Sequence, residues 1–160
     1  IINDLPPEII VQILHAVLEE IFNFPYFLGG YYLSALKDLT VVCTLWKFTI
    51  QNSPTFWTII ESSNTPDEMG YMLRKAANCL VTFKHLLDSG QDVFPEGGFD
   101  GFDFLDFASS NMPRCSSLSV AVKWCSQAAR ILGSPAPNLR EATIVASLYD
   151  IDEDLHLFDG

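Results

Sequence analysis

The stretch Leu5-Pro6-Pro7-Glu8-Ile9-Ile10 decides the fold of the first part of the chain, because it carries the signals of a helix start. Proline is tolerated in the first helical turn, where its missing N–H has no intrahelical partner, and a glutamate there lies near the positive end of the helix dipole. Downstream, apolar residues recur at helical spacing in two adjacent rows: Ile9, Ile13 and Val17, then Ile10, Leu14 and Leu18. The pattern predicts an amphipathic helix with one broad buried face that runs to about Glu20.

A second helical pattern follows an interruption. Residues 21–33 contain Pro25 and the pair Gly29-Gly30, which predict an aromatic-rich loop or short irregular insertion. A helix is then predicted from about Ser34 to Gln51, with apolar residues on two faces. One face comprises Leu36, Leu39, Val42, Cys43, Trp46 and Ile50, and the other comprises Val41, Leu45 and Phe48. Such a helix must be covered nearly all round, either by a protein partner or by the region downstream.

These two helices, closed by Phe56-Trp57, resemble the F-box, the short helical module by which substrate receptors dock onto the Skp adaptor of cullin-based ubiquitin ligases. The resemblance implies a three-helix module at residues 3–60, about a third of the chain. It departs between Glu19 and Leu33, where the chain is longer than a compact F-box requires and has an aromatic loop in place of the usual short second-helix region. The adaptor-binding residues that the resemblance implies are Leu5, Pro6, Ile9, Ile10, Ile13, Leu14, Leu36, Leu39, Val42, Cys43, Trp46 and Trp57. We expect six of these to form a contiguous exposed apolar patch: Leu5, Pro6, Ile9, Ile13, Val42 and Trp46.

The sequence changes character after Trp57. Turn-forming residues at 62–67 predict a boundary, and a second region is expected at residues 66–160. The elements predicted in its first half are a helix at Met69–Asn78, a strand at Leu80–Phe83, a loop at Gln91–Gly101 and a helix at Phe102–Ser109.

Two segments of this region share a template. Cys115-x-x-Leu118-x-Val120 and Leu139-x-x-Ala142-x-Ile144 both resemble degenerate leucine-rich-repeat cores, in which spaced apolar residues point from a strand into a solenoid core. Residues 126–132 can supply a helix between them, and residues 133–137 a return turn. The repeats look like those of fungal F-box proteins. The fold class is therefore expected to be α+β, a three-helix F-box followed by an irregular α/β leucine-rich-repeat-like segment with short parallel strands.

The repeat assignment makes a geometric prediction. The strands Cys115–Val122 and Leu139–Val145 should lie side by side and parallel in one sheet. Leu118 and Val120 should then point into the same core as Ala142 and Ile144. The second strand should form an uncovered edge, with only the segment from Tyr149 to Phe158 available to shield it.

Composition restricts the class of partner. The chain has 160 residues, is 49% apolar and carries a net charge of −11. This apolar content is enough for a globular core. The chain has no basic excess to meet phosphates or anionic lipid, so nucleic acid and membrane surfaces are poor candidate partners.

The cysteines and hydropathy indicate an intracellular chain, in the cytoplasm or nucleus. The four cysteines, Cys43, Cys79, Cys115 and Cys125, are far apart, and the sequence has no Asn-x-Ser/Thr glycosylation site. The apolar stretch from Ile9 to Ile21 is interrupted by polar residues and has no signal-peptide pattern before it. The chain begins at Ile1 without a methionine, and we expect it to be a fragment.

Patterns for metal or catalytic chemistry fail on inspection. Asp150-x-Asp152-x-Asp154 begins like an EF-hand loop, but Leu155 stands where the turn needs a glycine. Residues 97–103 resemble a calcium β-roll repeat that does not recur. The three histidines are not spaced as metal ligands, and the motifs G-x-S-x-G, G-x-x-x-x-G-K and G-x-G-x-x-G after a strand do not occur. We therefore expect no cofactor, no metal and no catalytic residue.

The function implied is that of a substrate receptor, which binds the Skp adaptor, and a cullin through it, and presents an unknown target protein through the repeats. The alternative is an F-box protein that binds the adaptor without directing ubiquitination. A third possibility is an enzyme with an unrecognised site, which a deep pocket with a cluster of perturbed pKa values would favour.

Overall fold

The computed structural model describes residues 5–23, 32–85, 101–122, 129, 131 and 133–146. These residues form a mixed helix-and-strand fold in which three helices precede a four-stranded sheet. The α-helices are α1 (Pro7–Asn23), α2 (Tyr32–Val42), α3 (Thr44–Asn52), α4 (Pro66–Lys75) and α5 (Gly101–Ser110). The strands are β1 (Ile59–Glu61), β2 (Val81–His85), β3 (Cys115–Val122) and β4 (Glu141–Ala146). Short 3₁₀ turns lie at Pro54–Trp57 and Met112–Arg114.

The helix predicted from Ser34 to Gln51 is instead two helices, α2 and α3, which meet at Cys43. Cys43 has extended backbone angles, φ −160° and ψ 165°, and its Sγ accepts the backbone N–H of Trp46 at 3.5 Å as the N-cap of α3. The preceding pair Val41-Val42 is β-branched, which crowds a helix and favours its end. The apolar periodicity continues through the break, so periodicity alone did not reveal it. The three helices of residues 5–60 are therefore α1, α2 and α3.

The three helices bury one of the two apolar rows that the sequence places on the broad buried face of α1, while Ile9 and Ile13 of the other row stay exposed. Ile10, Leu14 and Leu18 of α1 are buried, and α1 packs against α2 and α3. Trp57 closes this core from the 3₁₀ turn, where its indole Nε1–H donates to the carbonyl oxygen of Ile50 at 2.9 Å. A buried tryptophan whose N–H has a partner fixes the chain that leaves α3.

Helix α4 begins three residues before its predicted start because of its cap. Thr65 and Glu68 form a capping box, in which each side chain accepts the backbone N–H of the other residue. Pro66 then occupies the first helical turn, where proline is favoured. The helix ends at Lys75, shortly before Ala77, which has a positive φ of 49°.

The sheet is parallel and its strands follow the order of the chain, β1-β2-β3-β4. Strand β1 was not predicted, and it places the start of the sheet at Ile59, before the expected second region at 66. Strand β2 and helix α5 lie where the sequence predicts them, with ends that differ by one or two residues. Helix α5 packs on β2 through Phe104 and Phe107, whose rings lie 6.2 and 6.3 Å from that of Phe83.

The two template strands pair as predicted. β3 and β4 are parallel neighbours, Leu118 is in register with Ala142, and Val120 with Ile144. Leu118 and Val120 are buried, whereas Ala142 and Ile144 are exposed, so the described residues do not cover the β4 end of this row. Strand β4 is one of the two edge strands of the described sheet, as β1 is the other. The segment from Tyr149 to Phe158, predicted as its shield, lies outside the described residues.

A single apolar core joins the helices to the sheet. Leu36 and Ile50 belong to the same buried cluster as Ile60, Phe83 and Leu118.

Among the described residues, no helix combines the length and apolar character that crossing a bilayer requires. Predictions for residues 24–31, 91–100 and 150–155, and for most of residues 126–132, also lie outside the described residues. Within that last range Ala129 and Ile131 are described, and both are helical.

Candidate docking surface

The six residues of the predicted apolar patch are each at least partly exposed. Pro6 is exposed, Trp46 is half-buried, and the relative exposures of the other four members are 37% for Leu5, 39% for Ile9, 36% for Ile13 and 58% for Val42. Leu5, Ile9 and Ile13 recur every four residues at and after the start of α1, so they lie along one side of that helix. Val42 and Trp46 lie on either side of the break between α2 and α3. We call these six residues the apolar flank.

Five of the twelve predicted adaptor-binding residues do not lie on the surface. All five are core residues with at most 8% of their surface exposed: Ile10, Leu14, Leu36, Leu39 and Trp57. They pack inside the chain's own core and offer little surface to a partner. Adaptor binding by these five residues stays a prediction, and in the chain alone they belong to the core. The twelve predicted residues are therefore of two kinds: some form the core of the three helices, and the others are at least partly exposed on their surface.

Helix α1 is held on the 3₁₀ turn through His15. Its Nε2 lies 3.0 Å from the Thr55 hydroxyl oxygen, and its ring stacks on that of Phe56 with centroids 4.3 Å apart. Burial lowers the pKa of His15 below its ordinary value of 6.5, against a smaller opposing effect of Glu19. His15 is therefore neutral at neutral pH, and its contacts fix the rotation of α1 that presents the apolar flank.

Two further apolar residues beside the helix break are exposed and were not assigned to the site. Val41 and Phe48 are each more than half exposed. The sequence placed both on the second face of the predicted long helix. That two-faced pattern was the signal that could have added them to the site, since two apolar faces on one helix cannot both turn inward in a small module. Cys43, between α2 and α3, is also exposed, as a free thiol.

Glu61 lies where the helices meet the sheet, and sequence reasoning missed it. Only 2% of its surface is exposed, and its Oε2 accepts the backbone N–H of Tyr32 at 2.8 Å. The Tyr32 hydroxyl in turn donates to the carbonyl oxygen of Phe56 at 2.9 Å. Burial raises the pKa of Glu61 above its ordinary value, against smaller opposing effects of the Tyr32 amide and Lys84.

The sheet presents a second surface, on the side opposite to Phe83 and Leu118. Alternation along a strand puts every second residue on this side, which we call the outer face. The registers of the strands align its residues in two rows across β2, β3 and β4, namely Thr82, Ser117 and Glu141, then Lys84, Ser119 and Thr143. All six are half-buried or exposed. The outer face is polar and rich in hydroxyl groups, which suits hydrogen bonding to another chain.

Neither surface has the side chains that metal binding requires. Within the part of the chain that the structure describes, no three side chains of His, Cys, Asp or Glu lie close enough together to hold a metal ion. What the geometry offers is an apolar contact surface on the helices and a polar one on the sheet. Comparison with known proteins found no matching family model, no similar curated protein and no similar solved structure.

Proposed function

We propose that this chain is the substrate-receptor subunit of a Skp–cullin–F-box ubiquitin ligase. Its helices α1 to α3 would bind the Skp adaptor, and its sheet would present a target protein. In this role the chain carries no covalent chemistry and acts in the cytoplasm or nucleus. The observation that carries the proposal is the division of the motif residues into a buried set and an exposed apolar set.

The exposed set supports docking on physical grounds. Leu5, Ile9 and Ile13 lie at and after the start of a helix whose adjacent row, Ile10, Leu14 and Leu18, is already buried, so their exposure is not a result of an unformed core. Apolar residues that remain together on a surface favour association, because burying them removes apolar area from water. The half-buried Trp46 belongs to a residue type that is enriched among the energetically dominant positions of interfaces.

The strand spacing supports the repeat-like region. The buried position Ile60 of β1 is in register with Phe83 of β2, Phe83 with Leu118 of β3, and Leu118 with Ala142 of β4. The separations are 23 residues (60 to 83), 35 residues (83 to 118) and 24 residues (118 to 142). The first and the last fall within the roughly 20–29 residues of a leucine-rich repeat. The longer middle unit includes residues 86–100.

The outer face is the candidate surface for the target. Repeat proteins stack their units so that each contacts its neighbours, and the strands then form one extended surface. Here α2 lies against β1, and the outer face extends from β2 to β4 on the side of the sheet away from Phe83. An adaptor bound to the apolar flank would therefore share the chain with a target bound to the outer face.

Co-expression with a Skp adaptor, followed by gel filtration, tests the proposal. We expect the two proteins to elute together as a stable one-to-one complex. Elution as separate species at micromolar concentration would refute adaptor docking. Adding a cullin and the ubiquitination enzymes to the complex then tests delivery, with modification of a protein co-purified from cells as the expected result. Assembly with the adaptor but no modification would favour the alternative, an F-box protein that does not direct ubiquitination.

A further inference from the structure

Glu61 occupies a position that is costly for a carboxylate. It lies in β1, and only 2% of its surface is exposed. A buried charged or polar group costs free energy unless it is hydrogen-bonded, and replacing it by an apolar residue of similar volume is often neutral or stabilising. A carboxylate at this position therefore calls for an explanation beyond filling space in the core.

The contacts of Glu61 connect two parts of the fold at one residue. Its backbone is part of the sheet, where Glu61 is in register with Lys84 of β2. Its side chain leaves the sheet and accepts at Oε2 the N–H of Tyr32, the first residue of α2. The first N–H groups of a helix have no intrahelical partner, and a carboxylate there is favoured by the helix dipole. Asn64 supports this arrangement, because its Oδ1 accepts the Glu61 backbone N–H at 2.9 Å.

Other polar contacts between the helices and the sheet region are exposed to solvent, among them the hydrogen bond from Lys75 Nζ of α4 to the carbonyl oxygen of Gln51 of α3 at 3.1 Å. The ion pair between Lys37 of α2 and Glu68 of α4 has a 2.8 Å contact, but the side chains are 64% and 34% exposed. Exposed ion pairs contribute little and are screened by salt. The apolar core shared by the two parts is strong but non-directional, so it resists separation better than rotation. The hydrogen bond from Tyr32 to Glu61 has a defined direction and is shielded from water.

We propose that Glu61 is a positioning residue that fixes the orientation of α2, and with it the docking helices, relative to the sheet. The use that we assign to this fixed orientation rests on the proposed function, since a receptor must hold its target at a set position relative to the adaptor. The constraint itself is a property of this chain alone. It predicts that loss of the acceptor at position 61 loosens the orientation of the helices without separating them from the sheet.

The test is a distance measurement in the whole chain without an adaptor. Spin labels are attached through a non-natural keto amino acid at Gln12 of α1 and Thr143 of β4, which are both exposed and outside the contacts of Glu61. The labelling leaves the native cysteines in place. Distance distributions are recorded for the wild type, Glu61→Met and Glu61→Gln. Glu61→Met keeps the length of the side chain but is apolar and has no oxygen acceptor. Glu61→Gln keeps the acceptor oxygen without the charge.

We expect a narrow distribution for the wild type and Glu61→Gln, and a broadened or shifted one for Glu61→Met while its far-ultraviolet circular dichroism stays native. A Glu61→Met distribution that equals that of the wild type overturns the proposal. Amide hydrogen exchange provides a second test that does not need Glu61→Met to fold. The Tyr32 amide should exchange far more slowly than an unprotected amide in the wild type and in Glu61→Gln, and unprotected exchange in the wild type also overturns the proposal. Neither result depends on adaptor binding, so this inference and the proposed function can fail separately.

Discussion

Arg114 donates a hydrogen bond from its guanidinium to the backbone carbonyl oxygen of Cys79 at 3.1 Å, which joins the residue before β3 to the segment that follows α4. The same guanidinium also donates to the carbonyl oxygens of Leu73 and Ala77. The last carbonyl groups of a helix lack intrahelical partners, and a cation near them is favoured by the helix dipole. One side chain therefore caps the helix of one strand–helix unit from the 3₁₀ turn that precedes the strand of the next.

We expect Arg114→Met to lower the free energy of unfolding by about 1–3 kcal/mol, because it leaves half-buried carbonyl oxygens without their charged donor. Urea unfolding followed by circular dichroism measures the change. Arg140→Met is the matched control, since the Arg140 side chain is exposed and the backbone N–H of Arg140 donates to the carbonyl oxygen of Ser116, which the substitution keeps. Equal stability losses in the two variants would show that the Arg114 contacts contribute nothing specific.

The docking proposal predicts a contrast between two isoleucines of the same exposure. Ile13 on α1 is 36% exposed and Ile144 on β4 is 37% exposed. Ile13→Asp should weaken binding to a Skp adaptor by on the order of 2 kcal/mol, or roughly 30-fold in Kd, because it places a charge in an apolar contact. Ile144→Asp should leave Kd unchanged. Titration calorimetry gives both values, and a weaker complex only for Ile144→Asp would move the docking surface to the sheet.

Trp46→Ala and Pro6→Ala should also weaken adaptor binding more than any substitution after residue 70. The expected loss is on the order of 2 kcal/mol for the tryptophan. Trp46 is partly packed on the chain's own core, so the unfolding free energy of Trp46→Ala must be measured beside its Kd. Unchanged affinity in both variants would assign docking to another surface.

The partial burial of His15 predicts a dependence of stability on pH. The pKa of His15 in the folded chain is below the 6.5 of the unfolded chain, so the unfolded state takes up the proton first as the pH falls. The stabilising contribution of neutral His15 is present above pH 6.5 and is lost as the pH falls through the folded-state pKa. His15→Phe keeps a ring to stack on Phe56 but does not titrate. The stability of the wild type relative to this variant should decrease between pH 7.5 and 5.5 in urea unfolding, and a constant difference would contradict the prediction.

The buried carboxyl group of Glu61 should make stability depend on pH in the direction opposite to His15, and over a lower pH range. Its folded-state pKa is raised above 4.5, so the folded chain favours the protonated form. The corresponding contribution to stability is present below pH 4.5 and is lost as the pH rises through the folded-state pKa. Glu61→Gln stays neutral and keeps an acceptor for Tyr32, so its stability relative to the wild type should grow as the pH rises from 4 to 7. A relative stability that falls over this range would show that the carboxylate is better solvated than its burial indicates.

The cap of α3 predicts a stabilising substitution. Cys43 accepts the Trp46 N–H through sulfur, which is a weaker acceptor than a hydroxyl oxygen. Cys43→Ser should raise the melting temperature, because serine is a preferred N-cap. Cys43→Ala removes the cap and should lower the free energy of unfolding by at most about 2 kcal/mol. Cys79→Ser, at a half-buried cysteine outside any helix, is the control for the loss of a thiol. A lower melting temperature in Cys43→Ser alone would refute the capping role.

The sequence indicates most of what depends on local signals. The start of α1 follows from the prolines beside it, and the parallel pairing of β3 with β4 follows from the apolar template that the two segments share. Strand β1 could not be predicted in this way, because Ile59-Ile60-Glu61 is too short to show an alternating pattern between Trp57 and the next turn. The helix break at Cys43 is hidden because the apolar spacing continues across it.

The candidate site could be predicted only in part, because local sequence signals do not show which residues the folded chain buries. The exposure of Ile9, Ile13 and Val42 was expected for the docking patch, but helical spacing alone places Ile9 and Ile13 on the same broad face as Ile10 and Leu14. The contact between Tyr32 and Glu61 joins residues that are distant in sequence. A glutamate in a short strand is ordinarily expected at the surface, and only the placement of α2 against β1 buries it.

The strand order β1-β2-β3-β4 has a consequence for how the chain matures during synthesis. Each strand after the first pairs with one that the ribosome has already released, so no earlier strand has to wait for a later one to reach its place. Domains emerge from their amino-terminal end first, and a chain whose long-range contacts are added in that order can build its sheet progressively on the helices that precede it. Translation itself then supplies the sequence of assembly steps, with β4 as the last of the described strands to join.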